Sequence, residues 1–331
     1  MIYTSGVISD INKEETLEQL QDNKMAIVCE KIDLKPGETL LDIGCGWGTL
    51  AKFASVHFGA KTTGITLGRN QTAWGNNGLR KAGITEEQSR ILCMDYRDIP
   101  VPEAKYDKIT CLEMAEHVGI RHLTSFLRQV NDMMNDDGTF FIQVAGLRKT
   151  WQYEDLIWGL FMNKYVFPGA DASTPLRDYV GALESAGFEI KGVDTIGVHY
   201  SATLWRWYRN WMGNKEKVVA KYGDKWFRVS LRLNHKECLL TKCFRPGSSS
   251  LPTQRSLLDK EEQLATRLPV STTLTPPTVL KVSEASLPFL ERSLLARWTS
   301  TIPSTSRRLK LEGVVKVMCV KGEANIHSSL L

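Results

Sequence analysis

No apolar run in this 331-residue chain reaches the ~18 residues that a membrane-spanning helix needs. The nearest, Leu156 to Met162, stops at Asn163-Lys164. The first residues, Met1-Ile2-Tyr3-Thr4-Ser5-Gly6, lack the basic-then-apolar order of a secretory signal. The seven cysteines (Cys29, Cys45, Cys93, Cys111, Cys238, Cys243 and Cys319) include no CxxC pair, so no metal site is expected from their spacing. An odd count without a signal favours reduced thiols, most of them small core residues. Excess charge is also scarce. Lys and Arg number 42 against 37 Asp and Glu, a net of +5, and the basic residues are spread out. That excludes a nucleic-acid-binding stripe and permits mild attraction to an anionic membrane surface. Beyond Arg232 glycine nearly runs out, with only Gly247, Gly313 and Gly322 of the 25. Seven of the twelve prolines lie between Pro246 and Pro303, among dense Ser and Thr. This composition predicts a low-complexity tail over 236–331, largely disordered from 236 to about 310. A weak strand is expected over Leu311 to Val320.

The most informative stretch is Leu40 to Leu50. Apolar Leu40-Leu41 reads as a buried strand ending in Asp42. Three glycines follow at alternate positions, Gly44, Gly46 and Gly48, and then a helical run begins at Thr49. Glycine at a strand-to-helix turn allows positive φ and close approach of a ligand to the backbone. The spacing differs from the dinucleotide fingerprint, and an acid precedes it. This suits a ligand with a cationic amino-acid end and no phosphate, such as S-adenosylmethionine.

The pattern alternates strand and helix from there. Helices are expected over Glu14 to Lys31, Thr49 to Phe58, Arg69 to Ala82, Ile120 to Met134 and Thr174 to Ala186. Strands are expected over Thr39 to Leu41, Thr62 to Thr66, Arg90 to Asp95, Tyr106 to Leu112, Thr139 to Val144 and from Phe188. Such alternation predicts an α/β fold with a doubly wound, mostly parallel, Rossmann-like sheet. Ligands of such sheets sit beyond the carboxyl ends of the strands, at the switch point. Asp42, Gly44, Gly46 and Gly48 are therefore candidate cofactor residues. Thr66, Leu67 and Gln71 follow strand two, where ribose and methionine ends could be held, and Asp95 follows strand three, where it could accept from an adenine amino group. The aromatic segment Trp151 to Phe167 reads either as core packing or as an apolar lid over a lipid-like substrate, and Trp205 to Trp211 is a second aromatic and basic cluster.

Four segments together resemble the cyclopropane-fatty-acyl-phospholipid synthase family. They are Leu34-Lys35-Pro36-Gly37, Leu41 to Gly48, Gly64-Ile65-Thr66-Leu67 and Glu113-Met114-Ala115-Glu116-His117-Val118-Gly119. Phe161 to Gly169 and Gly197 to Leu204 are similar to its fungal sphingolipid C9-methyltransferase branch. The resemblance implies a class I S-adenosylmethionine-dependent methyltransferase over 1–235, acting on a lipid double bond. The substrate it implies is the Δ8-unsaturated sphingoid base of a ceramide or glucosylceramide, reached at a membrane surface. In full-length members that surface is the cytosolic face of the endoplasmic reticulum. It further implies catalytic positions at Glu116, Tyr200 and Cys29, which in the cyclopropane synthases surround a bound bicarbonate. Their histidine is replaced here by Gln143, which can donate to an anion but cannot take a proton. That replacement argues for a methyl-branched alkene over a cyclopropane ring. The chain's start resembles an internal point of the family, so the family's N-terminal spans and cofactor-covering stretch are expected to be missing. A cyclopropane synthase and a non-catalytic cofactor-binding remnant are the competing readings.

Overall fold

A computed structural model describes residues 2–10, 12–146, 159–160, 163–164, 167, 169–171, 173–224, 227–228 and 313–321. The apolar stretches between glycine breaks all enter one sheet. Its strands are β1 Thr39–Ile43, β2 Lys61–Thr66, β3 Ser89–Cys93, β4 Tyr106–Leu112, β5 Met134–Gly146, β6 Phe188–Thr195 and β7 Gly313–Lys321, in the order β3-β2-β1-β4-β5-β7-β6. The first five pair in parallel, and β7 runs antiparallel between β5 and β6. The chain moves outward from β1 to β3, then crosses back to β4. The switch point is therefore the gap beyond the carboxyl ends of β1 and β4, where an open α/β sheet binds its ligand.

The helices are α1 Leu17–Lys31, α2 Thr49–Phe58, α3 Arg69–Lys81, α4 Ile120–Met133, α5 Leu176–Ser185, α6 Gly197–Gly213 and α7 Lys215–Tyr222. Thr16 caps α1 through a reciprocal pair with Gln19, which is why that helix starts three residues later than its apolar period suggests. Side chains alternate across the sheet. Leu41, Ile43, Phe140 and Ile142 pack under α4 and α5, against Leu123, Phe126, Leu127 and Leu183. Leu40 and Phe141 face the other way, onto Val28 and Cys29 of α1 and Leu50 and Ala54 of α2.

Three segments differ from the sequence expectation. The polar run Asn135 to Gly138 was expected to separate α4 from its strand, but β5 begins at Met134, which is fully buried and pairs with Tyr106. A register shift between Tyr106 and Lys108 absorbs the polar residues. Gly197 to Gly213, read as a motif followed by an aromatic cluster, forms one helix. The weak strand expected at Leu311 to Val320 is present as β7 and lies inside the sheet, so the sheet draws on residues beyond 235. Trp151 to Trp158 and the whole segment 236–310, with Cys238 and Cys243, lie outside the described residues.

The chain's first residues are fastened across α1 and α6. Gly6 N–H donates to Thr203 Oγ1 at 2.9 Å, Val7 N–H to Leu20 O at 2.8 Å and Ile8 N–H to His199 Nδ1 at 3.0 Å. The buried Arg206 closes the other end, Nε donating to Glu15 O at 2.6 Å.

Candidate active site

The glycine turn adopts the geometry its residues permit. Gly44, Gly46 and Gly48 have φ of +79°, +56° and +72°. The amides of Gly44 and Cys45 both donate to Ile65 O at 2.9 Å, which ties the turn to the end of β2. Above it opens a cavity of about 770 Å³. Seven of the eight candidate cofactor residues line it: Asp42, Gly44, Gly46, Thr66, Leu67, Gln71 and Asp95. Gly48 does not. A Cβ there would stand 3.0 Å from Ile91 Cδ1 and 3.3 Å from Gly75 Cα, so its small size serves the packing of α2 against β3 and α3.

The charges in the wall are arranged in depth. Asp42 is buried and accepts from Thr110 Oγ1 at 2.9 Å. Burial lifts its carboxyl to about 6, against the opposing pull of that bond and of Lys24. Lys24 comes from α1 and is only 2% exposed. Burial draws its ammonium down to about 8, while Glu113 and Asp42 oppose the shift. Its Nζ donates to Thr4 Oγ1. Ile2, Tyr3 and Thr4 form one side of the cavity, so the chain's own first residues cover part of the site. At the far end Asp95 is gripped by Arg97, which donates from its amide and Nε to Oδ1 at 2.9 Å and from a terminal nitrogen to Oδ2 at 2.7 Å. That grip holds the carboxyl near 2, charged throughout the working range.

A carboxylate pair stands just beyond β4. Glu113 is half-buried, lines the cavity and has φ of +55°. Its N–H donates to Gln143 O at 2.7 Å. Its Oε1 accepts from Ser5 N–H at 3.2 Å and from Gln143 Nε2. Glu116 is 6% exposed, and its Oε1 accepts from Ala145 N–H at 2.6 Å. Burial, then the charge of Glu113, pushes Glu116 up to about 8, so it is largely protonated at pH 7. Among the described residues its Oε2 and Gln143 Oε1 are buried without a hydrogen-bond partner.

The structure thus brings Glu116 and Gln143 to the same place, around Glu113. Tyr200, half-buried on α6, packs edge-on against Trp207 and is not part of the cavity wall. Cys29 lies in the core under α1, and burial pushes its thiol up to about 12. These residues do not fit a bound bicarbonate. An anion needs donors, but Gln143 Nε2 is engaged by Glu113 and its orphaned atom is an acceptor. The charge of Glu113 would repel an anion further. S-adenosylmethionine fits better, because the cavity offers acids at both ends and a turn without side chains between them.

Sequence reasoning missed Lys24, Glu113, Tyr3 and Thr4. Two signals were available. Lys24 falls at helical spacing between Leu20 and Val28, on the apolar stripe of α1. Glu113 directly follows an apolar strand, as Asp42 does in the first strand–turn unit.

Residues 1–243 match the family described as mycolic acid cyclopropane synthetase. Sphingolipid C9-methyltransferase A of Emericella nidulans is 78% identical over 229 residues, covering 69% of this chain and 44% of that relative. The chain therefore spans under half the length of this curated relative. Among solved structures, the cyclopropane synthase MmaA2 from Mycobacterium tuberculosis superposes with a TM-score of 0.65 at 22% identity, over 72% of this chain and 85% of that one. Mycolic acid cyclopropane synthase CmaA1 complexed with SAH and CTAB gives 0.65 at 21%, over 72% of this chain and 85% of that one. These superpositions show that the chain shares the α/β fold of those proteins.

Proposed function

The chain belongs to the mycolic acid cyclopropane synthetase family, and on that premise we propose that it transfers a methyl group from S-adenosylmethionine to C9 of a Δ8-unsaturated sphingoid base in a ceramide or glucosylceramide. The observation that carries this reading is the cavity at the switch point, where seven of eight cofactor candidates converge. The 78% identity to a sphingolipid C9-methyltransferase supports the substrate class. When bound, the cofactor supplies an electrophilic sulfonium methyl.

The chain's own residues have separable tasks. The bare turn at Gly44 and Gly46 lets the cofactor lie against the backbone. Asp42 and Lys24 offer opposite charges to its ammonium and carboxylate. Asp95 accepts from the adenine end. Trp47, Met114 and Phe126 line the cavity and keep it dry, which matters because an alkene is a weak nucleophile. Gln143, which cannot take a proton, and the poor fit for bicarbonate favour a methyl-branched alkene over a cyclopropane ring. We place the reaction at a membrane surface, the cytosolic face of the endoplasmic reticulum, with residues 1–235 and β7 as the catalytic unit. Among the described residues no helix is long and apolar enough to cross a membrane.

Purified chain with methyl-labelled S-adenosylmethionine and phosphatidylcholine vesicles carrying a Δ8-unsaturated glucosylceramide tests the reading. Mass spectrometry should find one added methyl on the sphingoid base, with the double bond kept. Cofactor binding without any label in lipid would establish the remnant reading in its place.

A further inference from the structure

We propose that Glu113 is the catalytic base of this site, its carboxylate removing the lipid-chain proton whose loss leaves the methyl-branched alkene. The inference rests on the proposed methyl transfer to a lipid double bond.

The first argument is backbone geometry. Among the described residues only Asp33 and Glu113 combine a side chain with positive φ. Asp33 is exposed, in the turn after α1. Glu113 is at the switch point, in the wall of the cavity, with its amide fixed on Gln143 O. A left-handed conformation costs a residue with a Cβ about 1–2 kcal/mol, and glycine would adopt the same turn without that cost. The turn alone does not explain a glutamate here. Strain of this kind clusters where a side chain must be held at one place.

The second argument is exclusion. Of the three side chains clustered here, Glu113, Glu116 and Gln143, Glu113 alone lines the cavity. Gln143 cannot accept a proton. Glu116 already carries one near neutrality, because burial and the charge of Glu113 favour its neutral form. Two carboxyls whose surroundings push them apart in this way divide into a protonated and an ionised partner. Glu113 has donors from Ser5 and Gln143 on its Oε1 and shares the cavity wall with Lys24, surroundings that suit a carboxylate.

The chemistry balances. The S–CH₃ bond breaks, and the alkene's electron pair forms a new C–C bond to that methyl. The neighbouring chain carbon becomes a cation. Glu113 takes the proton of the methylated carbon, C9, and that C–H electron pair re-forms the C8–C9 double bond. A C–H beside a carbocation is very acidic, so the position of the base matters more than its strength. A carboxylate held on one side of the chain selects the chain proton, whereas loss of a proton from the added methyl would close a ring.

Glu113→Gly and Glu113→Gln separate this role from a structural one. Glycine suits φ +55° and removes only the carboxylate, so Glu113→Gly should fold even where Glu113→Gln does not. Calorimetry with S-adenosylhomocysteine should give affinities within about ten-fold of the parent, while kcat on the vesicle substrate falls about 10²- to 10⁴-fold. Added formate should restore part of the turnover of Glu113→Gly and none of that of Glu113→Gln, whose side chain fills the space. A structural role predicts no formate rescue. If the folded glycine variant keeps the parental kcat and product, or its loss is accounted for by cofactor affinity alone, the assignment of Glu113 is overturned and the proposed function stands. If the parent itself puts no label into lipid, the proposed function falls and this inference falls with it.

Discussion

Asp42 and Thr110 are register partners on neighbouring parallel strands, and the Thr110 hydroxyl donates to Asp42 Oδ1 at 2.9 Å. The bond works against burial. Without it, the Asp42 carboxyl, proposed above to meet the cofactor's ammonium, would be harder to ionise than it is at about 6.

Thr110→Val should therefore shift the pH dependence of cofactor binding. In the parent, S-adenosylhomocysteine affinity should fall as pH drops through about 6, because Asp42 takes up a proton. In the variant the fall should begin at higher pH. Asp42→Asn should lose about 10- to 100-fold at pH 7.5, the scale of a charge-assisted hydrogen bond. Calorimetry between pH 5.5 and 8 measures both. Superimposable pH profiles for the parent and Thr110→Val would contradict the role of the hydroxyl.

Glu116 links stability to pH. Its folded pKa of about 8 lies above the ordinary 4.5. Its contribution to stability is therefore fully present below about 4.5 and is lost as pH rises through about 8. The loss has a slope of up to about 1.4 kcal/mol per pH unit. Glu116→Gln cannot ionise, so its denaturation midpoint should stay flatter than the parent's between pH 6 and 8. Parallel curves would show that Glu116 is not held neutral in the folded state.

Gly48 and Gly37 give a matched pair. Both have positive φ, +72° and +86°, so alanine costs about 1–2 kcal/mol at either. Only at Gly48 does the new Cβ meet Ile91 and Gly75, adding about 1–3 kcal/mol of overpacking. Gly48→Ala should unfold at clearly lower denaturant than Gly37→Ala, yet bind cofactor normally while folded, since Gly48 is not part of the cavity wall. Equal midpoints would contradict the packing role.

The N-terminal strap should matter for binding. Thr203→Val leaves the Gly6 amide without its acceptor, at a cost of about 1–3 kcal/mol. Hydrogen exchange at residues 6–8 should quicken. Because Ile2, Tyr3 and Thr4 wall the cavity, cofactor affinity should fall with it. Faster exchange with unchanged affinity would show that the strap and the cavity are independent.

The elements that carry their own local signal were legible before any coordinates. Asp42 and the alternate glycines read as a strand-to-helix turn with room for a ligand, and α4 shows its buried stripe in Leu123, Phe126, Leu127 and Val130. What escaped depends on tertiary placement. A lysine on an amphipathic helix is nearly always exposed, so the place of Lys24 on the apolar stripe of α1 is a weak signal until Thr4 closes over it. Tyr3 and Thr4 have no period to read. Glu113 and Glu116 are three residues apart and look alike in sequence. Burial and the charge of Glu113 favour the neutral form of Glu116, against the pull of the Ala145 amide, whereas Ser5 and Gln143 donate to Glu113. The resemblance led to Glu116 because it follows motifs, and the adjacent Glu113 became visible through its backbone angle.

The sheet's sequence order has a consequence for biosynthesis. β5 ends at Gly146 and β6 at Thr195, but the strand that joins them begins only at Gly313. On the ribosome, β5 and β6 are made well before β7, and until then each presents an open edge along which a foreign strand could pair. Closing so long a loop also makes this pairing an intrinsically slow step. A nascent chain arrested before residue 313 would therefore display unsatisfied backbone on this half of the sheet, and chaperone demand should peak there and drop once β7 has emerged.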